Sequence, residues 1–194
     1  MRKVVLMSNN LHKIEEFSHA LKEFGIEVLS AKDIGVVDEP IEDGKTFEEN
    51  ALIKARHLAK YTSLPVIADD SGLEIHALDG FPGIFSARFM EGHSYIEKNN
   101  AVIKMLEDKN DKSAHFTCVI AFIYKGQEMT FRGECPGKII NELKGEHGFG
   151  YDPIFYIPSL SKTYAELEEH EKTAISHRGR ALTIWKEYLK SNQL

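Results

Sequence analysis

Apolar positions near the N-terminus change their spacing in a way that predicts a strand, a helix and a second strand. Residues 4–7 form a continuous apolar run, which is typical of a short buried strand. From residue 12 to residue 24 the apolar side chains recur at helical intervals, and Gly25 then ends the pattern. Residues 26–29 predict a second strand. The opening therefore indicates a strand, turn and helix unit.

In the rest of the chain, segments with the apolar spacing of a helix continue to alternate with segments typical of strands. Thr46 and Glu49 have the form of a capping box, and the apolar stripe behind them predicts a helix over 47–61. Residues 66–68 and 73–77 predict two short strands on either side of a polar segment. This mixed order predicts one α/β domain, residues 1–194, around a mixed sheet. The remaining patterns predict a helix over 95–106, two antiparallel strands over 115–124 and 129–133, and a closing helix over 176–189.

Composition excludes several classes of function. The net charge of −6 disfavours binding to nucleic-acid backbones, whose affinity comes from clustered Lys and Arg. No apolar run approaches the ~18 residues that a membrane span needs, and the N-terminal run is too short for a signal peptide. We therefore expect a cytoplasmic protein that binds neither nucleic acid nor membranes. Cys118 and Cys135 are too few and too far apart for a disulfide scaffold or a zinc site, so we expect buried thiols.

A first candidate site lies where the first predicted strand becomes the first predicted helix. The segment Ser8-Asn9-Asn10 stands there, with Lys13 one turn later. Free backbone N–H groups at a helix start attract anions, and a lysine can hold a phosphate as a point charge. An ordinary polar cap is the alternative. The segment is not a Walker loop, and the Gly-Lys-Thr at Gly44 lacks the required glycine five positions earlier.

A second candidate site is acidic. Asp69 and Asp70 end the strand predicted over 66–68, at the sheet edge where α/β proteins gather ligands. Adjacent carboxylates on a strand point to opposite faces, so one can hold a metal while the other orients water or pairs with a cation. Glu39 and Glu42 lie in an acidic loop, and one of them would complete a Mg²⁺ site that also uses substrate phosphates. A solvated turn and a solvated loop are the alternatives.

Two further segments have chemistry suited to a nucleobase. Residues 148–153 combine glycines, which let the backbone approach a ligand, with Phe149, whose ring can stack on a base. Asp152 offers an acceptor for a ring N–H. Ser176-His177-Arg178, with Lys172 upstream, presents donors that can read a purine carbonyl or a phosphate. A tight turn with a core aromatic and a solvent-exposed basic helix end are the alternatives.

Six segments follow one another along the chain: Ser8-Asn9-Asn10 with Lys13, Thr46-Phe47-Glu48-Glu49-Asn50-Ala51, Ala68-Asp69-Asp70-Ser71-Gly72, Phe81-Pro82-Gly83 with Ser86-Ala87-Arg88, Gly148-Phe149-Gly150-Tyr151-Asp152-Pro153, and Ser176-His177-Arg178. Together they resemble the inosine triphosphate pyrophosphatase family, also called the Ham1 or RdgB-like family. Any one segment is a weak signal, whereas the ordered set, spread over nearly the full chain, is highly specific. The opening motif departs from the family's usual Thr-Gly-Asn, since Ser8-Asn9 replaces Thr-Gly.

The resemblance implies an α/β fold in which an elongated central mixed β-sheet carries helices that form two lobes around a nucleotide-binding cleft. It also implies a homodimer that hydrolyses non-canonical purine nucleoside triphosphates (ITP, dITP and XTP) to the monophosphate and pyrophosphate with Mg²⁺, removing them from the nucleotide pool. By the resemblance, Asp70 accepts a proton and, with Glu42, holds the metal. The residues implied to bind substrate are Ser8, Asn9, Asn10, Lys13, Ser71, Phe149, Gly150, Tyr151, Asp152, Lys172, His177 and Arg178.

The implied reaction is in-line attack of water on the α-phosphorus, with charge on the phosphates stabilised by the metal and Lys13. His177 and Arg178 would donate hydrogen bonds to a 6-keto oxygen, whereas with adenine the same donors would meet an amino group. Two other functions stay open. One is a Maf-like pyrophosphatase that acts on modified pyrimidine nucleotides, and the other is a sensor that binds a nucleotide without cutting it.

Overall fold

The computed structural model describes residues 2–193, and within that range it contains five α-helices and seven β-strands. The helices are α1 (Leu11–Leu21), α2 (Phe47–Leu58), α3 (Tyr95–Met105), α4 (Glu169–Ile175) and α5 (His177–Ser191). The strands are β1 (Lys3–Leu6), β2 (Glu27–Ser30), β3 (Val66–Ile75), β4 (Ser113–Tyr124), β5 (Gln127–Ile139), β6 (Phe155–Ile157) and β7 (Lys162–Thr163). No helix in this range is long and apolar enough to cross a membrane.

The strands form a single sheet in the order β2-β1-β3-β4-β5-β6-β7. β1 pairs in parallel with β2 and β3, whereas β6 pairs antiparallel with β5 and β7. The predicted α/β class with a mixed sheet is therefore confirmed. β1 lies between two parallel neighbours, and Val4, Val5 and Leu6 are completely buried, as the apolar run predicts.

Local sequence signals fix the helix starts. Asn10 caps α1 by accepting from two backbone N–H groups, and Thr46 caps α2 by accepting from the N–H of Glu49. The helix predicted over 12–24 is α-helical only to Leu21 and then tightens into a 3₁₀ turn. That turn ends at Gly25, whose φ of 62° is left-handed and suits glycine.

The strand predictions around the acidic pair were wrong in one respect. The two short strands predicted on either side of Asp69-Asp70-Ser71-Gly72 are one continuous strand, β3, and the polar segment lies inside it. The alternative of a solvated turn at this segment, which rested on the turn preference of Asp, Ser and Gly, is wrong as well. In the structure both carboxylates have cationic partners, so the strand continues. β5 likewise runs six residues beyond the predicted end at residue 133, to Ile139, and β6, β7 and α4 were not predicted.

The chain divides into two compact units, and each is described by itself. The first contains the chain up to Asp70, Cys118–Gly133 and the chain from Arg180 onward; the second contains Ser71–Thr117 and Glu134–Gly179. Trp185 lies in the core of the first unit, and Tyr164 lies in the core of the second. The two cysteines are buried, as expected. The single-domain prediction stays a prediction.

Candidate functional site

The polar segment at the start of α1 is organised as a helix cap. Asn10 Oδ1 accepts from the backbone N–H groups of His12 at 3.0 Å and Lys13 at 3.4 Å, and Ser8 Oγ accepts from Asn10 N at 3.1 Å. The cap thus occupies two of the backbone N–H groups that were expected to be available for binding a phosphate. The cationic donor at this end of the helix is the side chain of Lys13, which is mostly but not fully shielded from solvent.

Lys13 is paired with the first of the two adjacent aspartates. Its Nζ lies 2.9 Å from Asp69 Oδ2, and the Asp69 side chain is 1% exposed. The thiol of Cys118 also points at that oxygen, at 3.9 Å. An ionised carboxylate at this depth needs such a cation. Asp69 therefore anchors Lys13 beside the start of α1.

Asp70 has a different set of partners, as expected for the next residue on a strand. Lys54 Nζ lies 3.2 Å from Asp70 Oδ1 and 3.1 Å from Glu42 Oε2, so one ammonium joins both carboxylates. The amide of Asn50 donates to Asp70 Oδ2 at 3.2 Å and accepts from Gly44 N at 2.9 Å. These four side chains form a buried or half-buried polar cluster, which we call the Asp70 cluster.

Burial is the largest single influence on the pKa values of both Asp70 and Lys54. Desolvation raises the pKa of Asp70 above its ordinary value; the Lys54 ammonium opposes this effect without cancelling it, and the Glu42 carboxylate adds to it. Burial by itself lowers the pKa of Lys54, but the carboxylates, chiefly Asp70 and then Glu42, outweigh it and raise that pKa. Lys54 therefore stays an ammonium at neutral pH. With both carboxylates ionised, the cluster would carry a net charge of −1.

The donors of this cluster fit a hard divalent cation. Carboxylate oxygens of Glu42 and Asp70 converge on a single cation, the ammonium, and the remaining negative charge favours a second one. Glu39, the other candidate in the acidic loop, instead accepts from Asn9 Nδ2 at 2.5 Å. Among residues 2–193 no group of three or more His, Cys, Asp or Glu side chains is arranged around a common metal position. Substrate oxygens would have to supply further ligands.

The second unit holds the glycine-rich segment in a tight turn. Asp152 Oδ2 accepts from Phe149 N at 2.8 Å and from Lys172 Nζ at 2.5 Å. Gly148 has a φ of 73°, and a Cβ there would lie 2.1 Å from the same Asp152 oxygen. The Lys172 ammonium also lies 4.9 Å from the centre of the Phe149 ring. The alternative of a tight turn is thus realised, but with a buried Lys-Asp pair beneath its aromatic ring.

Gly150 and Tyr151 fasten that turn to the rest of the second unit. Gly150 O accepts from Asn99 Nδ2 at 3.1 Å, and the Tyr151 hydroxyl donates to Ser86 O at 2.8 Å. Burial, with a smaller contribution from Tyr95, raises the pKa of Tyr151, so its hydroxyl remains a donor. These two predicted substrate residues therefore have structural partners of their own.

His177 and Arg178 begin α5 and are both buried. They are 6% and 3% exposed, so the alternative of a solvent-exposed basic helix end is wrong. Arg178 Nη2 donates to Ser71 Oγ at 3.1 Å, and the His177 ring stacks on Phe116 at 4.8 Å between ring centres. A Cβ at Gly179 would lie 1.8 Å from Thr173 O, so only glycine permits this close approach of the backbone.

The predicted site residues thus form two groups. Glu42, Asp70 and the segment Ser8 to Lys13 lie in the first unit. The others lie in the second: Ser71, Phe149, Gly150, Tyr151, Asp152, Lys172, His177 and Arg178.

Two residues of the Asp70 cluster had no predicted role. Asn50 and Lys54 are four residues apart on α2 and therefore share a face. Ala51 and Ala55, the next residues along the helix, are fully buried. Two polar side chains four residues apart beside such a buried stripe could have pointed to a buried polar site.

Comparison with known proteins agrees with the motif order. A model of the Ham1 family matches residues 4–188. The dITP/XTP pyrophosphatase of Desulfotalea psychrophila is 49% identical over 92% of this chain and 81% of its own. The dITP/XTP pyrophosphatase of Escherichia coli K12 is 45% identical over 98% of this chain and 100% of its own. A solved Ham1 protein from Coxiella burnetii superposes with a TM-score of 0.93 at 43% identity, over 98% of this chain and 100% of that chain. The chain belongs to the Ham1 family.

Proposed function

We propose that this protein hydrolyses non-canonical purine nucleoside triphosphates (ITP, dITP and XTP) to the nucleoside monophosphate and pyrophosphate. The observation that carries the proposal is the Asp70 cluster, in which a buried carboxylate of raised pKa shares an ammonium with a second carboxylate. Such a carboxylate is suited to general-base chemistry. The names of the relatives, dITP/XTP pyrophosphatases, support the substrate class.

In this proposal the first unit takes the triphosphate. Lys13 and Lys54 supply positive charge for the phosphate oxygens, and each already has a carboxylate that orients it. Ser8, Asn9 and Asn10 complete the phosphate site through hydroxyl and amide donors. The ion pairs hold both lysine side chains before substrate arrives, so less conformational entropy is lost on binding.

Glu42 and Asp70 are the residues that would hold Mg²⁺. When bound there, a divalent cation would neutralise charge on the phosphates and would favour loss of a proton from the attacking water. Asp70 orients the attacking water and accepts its proton, which then passes to solvent. The water oxygen forms a bond to the α-phosphorus while the bond from that phosphorus to the bridging oxygen breaks, and pyrophosphate leaves. Lys54 and Lys13 stabilise the charge that develops on the departing pyrophosphate.

The second unit takes the base. Phe149 offers its ring for stacking, and the ammonium of Lys172, held by Asp152, polarises that ring from nearby. His177 and Arg178 are buried donors for the 6-keto oxygen of hypoxanthine or xanthine. A buried donor that faces the amino group of adenine is left unsatisfied, and this cost selects against ATP. Ser71, Gly150 and Tyr151 would complete the base-binding group of the second unit.

The resemblance also implies a homodimer and a cytoplasmic location, and both belong to the proposal. A cytoplasmic location fits the proposed activity, because the enzyme would remove non-canonical nucleotides from the nucleotide pool of the cytoplasm. Sedimentation of the purified chain tests the dimer independently of turnover.

Pyrophosphate release from a nucleotide panel tests the proposed function. With ITP, dITP, XTP, ATP, GTP, CTP and UTP in Mg²⁺, we expect kcat/KM for ITP to exceed that for ATP by about 10²-fold or more. Omission of Mg²⁺ with chelator present should abolish release. A pyrimidine nucleotide as the best substrate would instead favour a Maf-like enzyme. Tight ITP binding without any pyrophosphate release would favour a sensor.

A further inference from the structure

The acidic segment that carries Glu42 has no regular secondary structure, yet both of its ends are fixed. Val36, at its start, is 4% exposed, and its N–H donates to Ala31 O at 3.0 Å. Gly44, at its end, donates to Asn50 Oδ1 at 2.9 Å. The seven residues between these ends form neither helix nor strand. The position of Glu42 is therefore set by side-chain contacts of this segment and not by regular secondary structure.

Those contacts run along α2 and the turn after it in antiparallel order. Asp38 meets His57 and Tyr61, Glu42 meets Lys54, and Gly44 meets Asn50. As the segment advances, its partners move back along the helix by three or more residues at a time. This set of contacts, which we call the α2 ladder, aligns the segment with the helix. The same helix that supplies Lys54 and Asn50 to Asp70 thus also fixes the acidic segment.

Asp38 forms the first contact of the α2 ladder. One oxygen, Oδ2, lies 3.0 Å from His57 Nε2 and accepts from the Tyr61 hydroxyl at 3.0 Å. The His57 nitrogen is shielded from solvent, and its 3.0 Å contact with Asp38 lacks the geometry of a hydrogen bond, so the Tyr61 hydroxyl is the hydrogen-bond donor here. The His57 ring packs against Tyr61 with 5.3 Å between centres. The Tyr61 hydroxyl is the largest influence that lowers the pKa of Asp38, so the carboxylate is ionised at neutral pH.

The distance from Asp38 to Glu42 explains why this contact matters at the Asp70 cluster. Four residues of extended chain span at most ~14 Å, so fixing Asp38 restricts the positions that Glu42 can reach. Lys54 precedes His57 by three residues, or ~4.5 Å along a helix. The segment is therefore longer than the stretch of helix beside it, and the Asp38 contact limits how far this extra length can shift. Without that contact Glu42 is held mainly by Lys54 and can reach a wider range of positions.

We infer that Asp38 is a positioning residue: with His57 and Tyr61 it holds Glu42 at the Asp70 cluster and thereby sets the affinity of the site for a divalent cation. The inference rests on the proposed role of Glu42 as a metal ligand. Asp38 itself contacts neither substrate nor metal in this account. Its removal should weaken metal binding while leaving the chemical step intact once metal is saturating.

The test compares Asp38→Ala with Asp108→Ala, which removes an exposed carboxylate of the second unit. Mn²⁺ serves as the probe, and its dissociation constant is measured by electron paramagnetic resonance with inorganic pyrophosphate present. For Asp38→Ala we expect that constant, and the Mg²⁺ concentration for half-maximal ITP turnover, to rise about fivefold, as expected for losing one hydrogen bond from Tyr61 and one close contact with His57. The kcat at saturating Mg²⁺ should stay within about twofold of the unmodified chain, because the chemistry is untouched. Asp108→Ala should change neither quantity.

Tyr61→Phe and the double variant separate a positioning role from a structural one. If Asp38 acts through Tyr61, the two substitutions are not additive in Mn²⁺ affinity. Asp38→Asn, which can still accept from the hydroxyl, should recover part of that affinity. An unchanged Mn²⁺ constant in Asp38→Ala and Tyr61→Phe overturns the inference, even if the melting temperature falls, and leaves the proposed function standing. An unmodified chain that binds no Mn²⁺ overturns both the inference and the metal site.

Discussion

Asp70→Asn is expected to lower ITP turnover by about 10³-fold or more, since a general base typically contributes 10²–10⁴-fold. The same substitution should leave the apo protein at least as stable as the unmodified chain. The folded-state pKa of Asp70 is raised, chiefly by burial, so the folded chain binds this proton more tightly than the unfolded chain does. That contribution to stability is complete below the ordinary aspartate pKa and is lost as pH rises through the folded pKa. At neutral pH the ionised carboxylate is therefore a cost, which asparagine avoids.

Calorimetry across pH, with parallel ITP kinetics, checks this prediction. Without Mg²⁺ at pH 7, the melting temperature of Asp70→Asn should equal or exceed that of the unmodified chain, and the difference should shrink as pH falls toward the ordinary pKa of aspartate. Asparagine keeps an acceptor for Asn50, so the fold should persist. Near-normal turnover refutes the catalytic role of Asp70. A melting temperature several degrees below that of the unmodified chain refutes the electrostatic account.

Lys54→Met is expected to destabilise the folded chain by about 3–5 kcal/mol, the usual cost of removing one partner from a buried ion pair. It leaves Glu42 and Asp70 facing each other without the ammonium that now lies about 3 Å from both. The pKa of Asp70 should rise further, and ITP turnover should fall because a charge that stabilises pyrophosphate is lost. Mg²⁺ should recover more stability in this variant than in the unmodified chain, since the two carboxylates then lack their own cation.

Urea titrations with and without Mg²⁺ measure these effects. Lys60→Met, which makes the same replacement at an exposed position just beyond α2, is the matched control and should shift stability by no more than about 0.5 kcal/mol. If the two variants behave alike, Lys54 is an ordinary surface lysine. Equal Mg²⁺ stabilisation in Lys54→Met and the unmodified chain would place the metal elsewhere.

The elements that could be predicted are those whose signals are local. The apolar stripe of α1, with Phe17 and Leu21 buried, and the cap of α2 at Thr46 lie within a few residues of the structure that they specify. β3 could not be predicted at full length, because its carboxylates are tolerated only through Lys13 and Lys54, which come from other elements. β6 and β7, at three and two residues, are too short to show a period.

The candidate site was predictable as a set of motifs but not as an arrangement. The motifs point to Asp70 and to the acidic loop that contains Glu42. No residue near that loop in sequence indicates which of its glutamates turns toward Asp70. The choice between Glu39 and Glu42 depends on Lys54, twelve residues after Glu42 along the chain. Likewise the residues around His177 in sequence allow an exposed basic helix end, and only its packing against Phe116 shows that it is buried.

Hydrolysis of ITP in water enriched with ¹⁸O tests the central claim most directly, because the account assigns Asp70 to direct water at the α-phosphorus. Mass spectrometry of the products should find one solvent oxygen in inosine monophosphate and none in pyrophosphate. Label in pyrophosphate, or release of inorganic phosphate with inosine diphosphate, would contradict the account, because water would then attack a different phosphorus.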